Sequence, residues 1–159
     1  MSAPADAAVF GSETERREAT IVAALRKALP NDVLVDVQPD DPRAFDMSGA
    51  NRVVLVHFLE EMPVGHRFHG AITFAVICLA RSYRGVGGGQ NLREAARDAL
   101  TGRQLEGMSE LKIVRSRTEG QVGGLWRWVV EIRAEAAMGR VAAEPARFTE
   151  QFPSEGTTL

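Results

Sequence analysis

Two stretches constrain the fold more than anything else in this sequence. RVVLVHFL (Arg52 to Leu59) and FHGAITFAVICLA (Phe68 to Ala80) carry apolar side chains at odd and even positions alike. Successive residues of a strand point to opposite faces. Ile72, Phe74, Val76 and Cys78 therefore face one way, and Ala71, Ala75, Ile77 and Leu79 the other. A strand that is apolar on both faces belongs in the middle of a sheet, covered on each side. The rest of the chain must flank and cover these two. Glu60 to Gly65 (EEMPVG) reads as the break between them.

The flanking elements are legible. Ile21, Val22, Leu25, Ala28 and Leu29 fall at helical spacing. Acidic and basic residues fill the turns before them, Ser12 or Thr14 can cap, and Pro30 stops the run, which predicts a helix over 13–29. Val33 to Val37 is a short strand. Gln38 to Asn51 is dense in Pro, Asp and Gly, and reads as loop. A second helix is predicted over 91–101. Asn91 is its N-cap, Glu94 completes a capping box, and Gly102 suits a left-handed C-cap. Leu111 to Ser116 is a fourth strand and Gly120 to Gly124 a turn. Leu125 to Arg133 (LWRWVVEIR) alternates as a half-exposed strand, with Trp126, Trp128, Val130 and Ile132 on one face and Arg127, Glu131 and Arg133 on the other.

This order predicts an α+β fold: a mostly antiparallel sheet of four to five strands with two helices packed on it. It forms one domain over residues 13–138, between a flexible N-terminal arm (1–12) and an extended C-terminal tail (139–159). At 159 residues, folding buries roughly 70% of the extended surface. The net charge of −2 lacks the basic footprint of a duplex-binding protein. The N-terminus has no basic region followed by an apolar core, and the apolar run Ala71 to Ala80 is far short of a bilayer span. The expectation is a soluble protein, intracellular when made. The one cysteine, Cys78, sits in that apolar run and reads as a small hydrophobe.

Gly85 to Gly89 holds four glycines in five residues, between a strand and a helix, which is where phosphates are often held. The motif test fails. A P-loop needs Lys and Ser or Thr after its last glycine, and Gly89 is followed by Gln90 and Asn91. In a dinucleotide fingerprint begun at Gly85 or Gly87, the third glycine is replaced by Gln90 or Leu92. A connection needing unusual backbone angles is the better reading.

No catalytic constellation emerges. His66 and His69 straddle a turn without metal-ligand spacing, and His57 lies in a buried strand. Ser82 and Cys78 have no base near them in sequence, and the acid pairs Asp40-Asp41 and Glu60-Glu61 lie in loops. No metal site and no cofactor are expected. Trp126 and Trp128 read as core, with an interface role as the alternative. Arg81, Arg84, Arg93 and Arg97 are interrupted by Glu94 and Asp98, a surface or subunit-contact feature rather than a nucleic-acid patch.

An ordered set of pieces goes further. An amphipathic helix ending IVAALRKALP is followed by VLVDVQPDDPRAF, the strand RVVLVHFL and a long strand running into LARSYRG. Then come GGG, the helix NLREAARDALTG, and a Gly-rich turn before LWRWVVEI. Over roughly residues 18–135 the chain resembles the small tail proteins of Mu-like contractile-tailed bacteriophages, a family regarded as tail-terminator-like. The chain departs from that pattern in its arm before Glu13 and its tail after Met138, which are longer than the family core.

The resemblance implies a structural role without catalysis. Such proteins form a ring, usually hexameric, on the head-proximal end of the tail tube, where they halt tube and sheath polymerisation and join the tail to the neck. The implied partners are further copies of the chain, the tube protein, the sheath protein and a neck or head-completion protein. No membrane and no sequence-specific nucleic acid are involved, though DNA can pass through the ring. The implied location is the virion tail, and the host cytoplasm during assembly. Arg81, Tyr83, Arg84, Gly85, Gly87, Gly88, Gly89 and Gln90 are then expected at a subunit or tube contact that orders in the ring. The alternatives are a head-completion or neck adaptor protein, and a small nucleotide- or metabolite-binding enzyme using the glycine loop.

Overall fold

The sheet runs β1 (Val33–Val37), β2 (Arg52–Val64), β3 (His66–Ala80), β5 (Leu125–Ala137), β4 (Lys112–Val122), with the two double-faced strands inside it. The computed structural model describes residues 11–40 and 49–137, with only the backbone of 66–68. Most of the expected arm, the tail, and Asp41 lie outside those residues. β1 pairs parallel to β2. β2 pairs antiparallel to β3, β3 to β5, and β5 to β4. Helix α1 is Glu13–Ala28 and α2 is Gly89–Leu100. The fold is thus α+β, its sheet antiparallel but for one pair.

Helix α1 starts as its sequence dictates. Ser12 Oγ accepts from the Glu15 N–H at 3.1 Å, and the Glu15 carboxylate accepts from the Gly11 N–H at 2.6 Å. One of the helix's orphan amide donors is met in this way, and the amide just before the cap is held as well. Its apolar stripe, Ile21, Val22 and Leu25, is buried with Leu92, Ala96 and Leu100 of α2. Both helices lie over the sheet face made by Val54, Val56, Phe74, Val76, Trp128 and Ile132.

The opposite face is apolar over a smaller area: Val53, Leu55, Ala75, Ile77 and Val129. Among the described residues no helix covers it. Ala75, Ile77 and Val129 share a cavity of about 190 Å³ with Arg117, Glu119, Arg127 and Glu131. Arginine stems can cover apolar surface while their heads stay in ion pairs. This explains why Val129 is 4% exposed on a face that alternation alone reads as solvated.

Several boundaries differ from the sequence reading. EEMPVG does not break the strand. β2 continues to Val64, with a register shift between Phe58 and Glu60, so Glu60 and Glu61 lie in a strand and not in a loop. Pro63 is tolerated because β1 covers only Arg52 to Val56, leaving the outer side of β2 free of a ladder there. Asn91 is not the N-cap: α2 begins at Gly89 with Gly88 as its N-cap, three residues before Asn91, and Glu94 pairs with Arg93 at 3.4 Å. The turn expected over 120–124 shrinks to Gly123 and Gly124, both at positive φ (58° and 81°), the geometry that tight hairpins require. β4 reaches Val122 through a second register shift next to Gly120, and β5 runs on to Ala137. Gly102 does take the left-handed conformation, at φ 77°.

The start of β2 is pinned to the turn before β1. Arg52, 8% exposed, donates from Nη2 to both carboxylate oxygens of Asp32, at 3.1 and 2.9 Å. The Arg52 guanidinium holds the Asp32 carboxyl below its ordinary value. A depressed folded pKa gives stability that is complete above the unfolded value, about 3.9, and lost as pH falls through the lower folded value. Asp32→Asn is therefore expected to lower the urea midpoint at neutral pH, with the gap to the parent chain closing as pH drops through and below that range.

Candidate functional site

The glycine loop is built from its backbone upward. β3 ends at Ala80, and residues 81–88 turn the chain into α2. The Gly89 N–H donates to Ser82 O at 2.9 Å, the Gln90 N–H to Tyr83 O at 3.1 Å, and the Gly88 N–H to Gly85 O at 3.0 Å. The first two amides of the helix, where a phosphate would bind, are thus occupied by carbonyls of the loop itself. The loop is a defined turn in the single chain.

Each glycine has its own reason. Gly85 sits at φ 89°, where a side chain is strained. A Cβ on Gly88 would lie 2.4 Å from Arg84 O, and one on Gly89 would lie 2.0 Å from Trp128 Cζ3. A Cβ on Gly87 would meet nothing within 4 Å. Of the residues expected at a contact, Gly88 and Gly89 are buried, Tyr83 and Gln90 are half-buried, and Arg81, Arg84, Gly85 and Gly87 are exposed. Val86 at the tip is 87% exposed.

Beneath the loop lies an aromatic cluster. The Tyr83 ring meets Trp126 edge-on at 4.9 Å and Trp128 at 5.3 Å, and the two tryptophans are 6.4 Å apart. Such pairs contribute about 0.5–1.5 kcal/mol beyond area burial. Trp128 is fully buried core, whereas Trp126 is half-buried at its margin. The Arg84 guanidinium lies 5.1 Å from the Tyr83 ring centre.

A cleft of about 260 Å³ opens beside the cluster, between Tyr83, Gln90, Arg93, Ser116, Arg117, Thr118 and Trp128. Its cations are already engaged. Arg93 donates to Gln90 Oε1 at 3.3 Å and to Ser116 Oγ at 3.0 Å, and Arg117 to Glu131 and Glu119 at 3.0 Å each. Arg97 pairs with Asp98 at 3.0 Å. Cys78 is buried, and burial pushes its thiol up to about 12, far from a reactive thiolate. Among the described residues no group of three or more His, Cys, Asp or Glu could hold a metal ion, and no helix is long and apolar enough to cross a membrane.

The residue reading missed a charge network across β4 and β5. Arg117 bridges Glu131 and Glu119, Arg127 contacts Glu119, and Arg115 approaches Glu131 at 3.6 Å. Hydrogen bonds from Arg127 and Arg117 hold the Glu119 carboxyl below its ordinary value, and Glu131 raises the Arg117 value. Periodicity alone could not reveal it: the Gly123-Gly124 turn by itself would set Ser116 opposite Glu131, and the register shift between Thr118 and Gly120 is what brings Arg115 opposite Glu131 and Arg117 opposite Val129.

Comparison with known proteins gives three findings. The family model for Gp37 protein matches residues 21–146. No curated protein matches. A solved chain from "Virion of native gene transfer agent (GTA) particle" shares 20% identity over 77% of this chain and 87% of its own, with a TM-score of 0.43.

The geometry separates neighbouring glycines. Gly89→Ala drives a methyl into the Trp128 ring and is expected to cost about 1–3 kcal/mol. Gly87→Ala is expected to change stability by no more than about 0.5 kcal/mol. Urea unfolding followed by tryptophan fluorescence measures both.

Proposed function

The chain belongs to the Gp37 protein family, and from that premise we propose that it is a structural protein of a phage-like virion, acting as a tail terminator. It forms a ring on the head-proximal end of the tail tube, stops tube and sheath growth, and presents a surface to the neck. Arg81, Arg84, Gly85 and Gly87, with Tyr83 and Gln90 at their edge, belong to a subunit or tube contact.

One observation carries this reading. The pieces on which the resemblance rests, LARSYRG, the glycines, NLREAARDALTG and LWRWVVEI, meet at one place. Tyr83, Gly89 and Trp128 pack together beneath the loop. The most distinctive residues of the pattern therefore hold a helix on a sheet. What they leave facing outward is loop tips and strand edges, the parts an assembling subunit uses.

The enzyme alternative depended on the glycine loop as a phosphate cradle, and the occupied amides of Gly89 and Gln90 argue against it. A nucleotide at 100 times its dissociation constant would raise stability by roughly 2.7 kcal/mol. The expected result with ATP, GTP or NAD is no shift in melting temperature.

A neck adaptor differs from a terminator only by position on the particle. Cryo-electron microscopy of intact particles decides between them. The expected result is one ring of this chain at the top of the tail tube, below the neck. Density against the capsid portal would favour the adaptor, and absence from particles would overturn the virion reading.

A further inference from the structure

We propose that copies of this chain join by unlike sheet edges, β4 of one copy against the outer half of β2, around Leu59–Met62, in the next. The inference rests on the ring-forming reading above and names the contact that would build such a ring.

The edges of the sheet are not equivalent. The β1 edge is closed from within. The Val33 N–H donates to Pro30 O at 3.1 Å, Arg26 Nε to Val35 O at 3.0 Å, and the Val37 N–H to Asp36 Oδ1 at 2.8 Å. A partner strand there would have to displace all three. β1 leaves β2 after Val56, and Glu18 then accepts from the Phe58 N–H at 2.9 Å. From Leu59 onward, no described strand lies outside β2. β4 ends the sheet on the other side, and no described strand lies beyond its eleven residues.

Charge decides how these two open edges can meet. β4 carries Lys112, Arg115 and Arg117 against the single Glu119, with Val114 41% exposed. The open half of β2 carries Glu60 and Glu61, with Met62 53% exposed. Two β4 edges would set cations against cations, and two β2 edges carboxylates against carboxylates, both unfavourable across a strand pair. The unlike pairing opposes opposite charges and covers exposed apolar side chains on both edges. Arg115 keeps 60% of its side chain exposed beyond its contact with Glu131, and so has donors for a second carboxylate. Pro63 has no N–H, which confines backbone pairing to the residues before it. A contact between unlike patches is heterologous, and repeats into a ring when its rotation closes.

The test uses the full chain with Met62→Cys, Val114→Cys, or both. The native Cys78 is buried and stays out of reach of a maleimide while the chain is folded. A short bis-maleimide is added to concentrated free protein and to purified particles. The double variant is expected to give a ladder of multimers, and each single variant none. Glu60→Lys with Glu61→Lys is expected to abolish the ladder. Adding Lys112→Glu and Arg115→Glu is expected to restore it, with circular dichroism confirming folded chains throughout. Dimers from a single variant would show like edges meeting and overturn the proposal. So would no ladder from the double variant in either preparation. The outcome is distinct from that of the functional reading: a chain located in the tail without a ladder contradicts only the edge pairing, and a ladder from a chain absent from particles contradicts only the virion role.

Discussion

The Trp128 ring lies against the backbone of Gly89, where one added carbon would stand 2.0 Å from Cζ3. The rest of the architecture depends on this contact. Pairing of Cys78 with Trp128 and of Ala80 with Trp126 brings the two indoles under the point where β3 ends. The chain leaving Ala80 must cross over them and return as α2, close enough for Leu92, Ala96 and Leu100 to reach the core. Only backbone fits at the crossing. The loop carbonyls of Ser82 and Tyr83 then meet the first amides of the helix, and Tyr83 packs its ring on both tryptophans. A motif that suggests a ligand site is thus a packing device.

The two faces of the sheet are finished by different means. One is covered by helices whose apolar stripes meet it directly. The other is covered in part by arginine stems whose heads are tied to Glu119 and Glu131. An ion-pair network in partial contact with solvent contributes little as isolated pairs. Its larger effect is to fix long side chains over Ala75, Ile77 and Val129. The same network leaves β4 rich in cations, while the open half of β2 carries the carboxylates of Glu60 and Glu61. The molecule therefore has an electrostatic direction across its sheet despite a net charge of only −2.

The element types and their order were legible in the sequence, because periodicity and capping act locally. Helix α1, β1 and the central pair β2–β3 followed from apolar spacing and from Pro30. What was not legible lay in tertiary context. The continuation of β2 through Pro63 depends on how far β1 reaches. The N-cap of α2 moved from Asn91 to Gly88 because the helix is anchored through Trp128, which overrides a good local capping residue. The burial of Val129 and Glu131 came from arginines of a neighbouring strand. Of the residues expected at a contact, Arg81, Arg84, Gly85 and Gly87 face outward, whereas Gly88 and Gly89 are covered by atoms that only the fold brings near.

The central claim is that the glycine loop is a folded part of the single chain, held by Trp128 and its own carbonyls, without ligand or partner. Amide hydrogen exchange on the isolated protein tests it most directly. The Gly88, Gly89 and Gln90 amides are expected to be protected to a degree comparable with the interior of α2. Exchange at these three positions as fast as in an unfolded chain, slowing only when a nucleotide is added or an assembly forms, would contradict it.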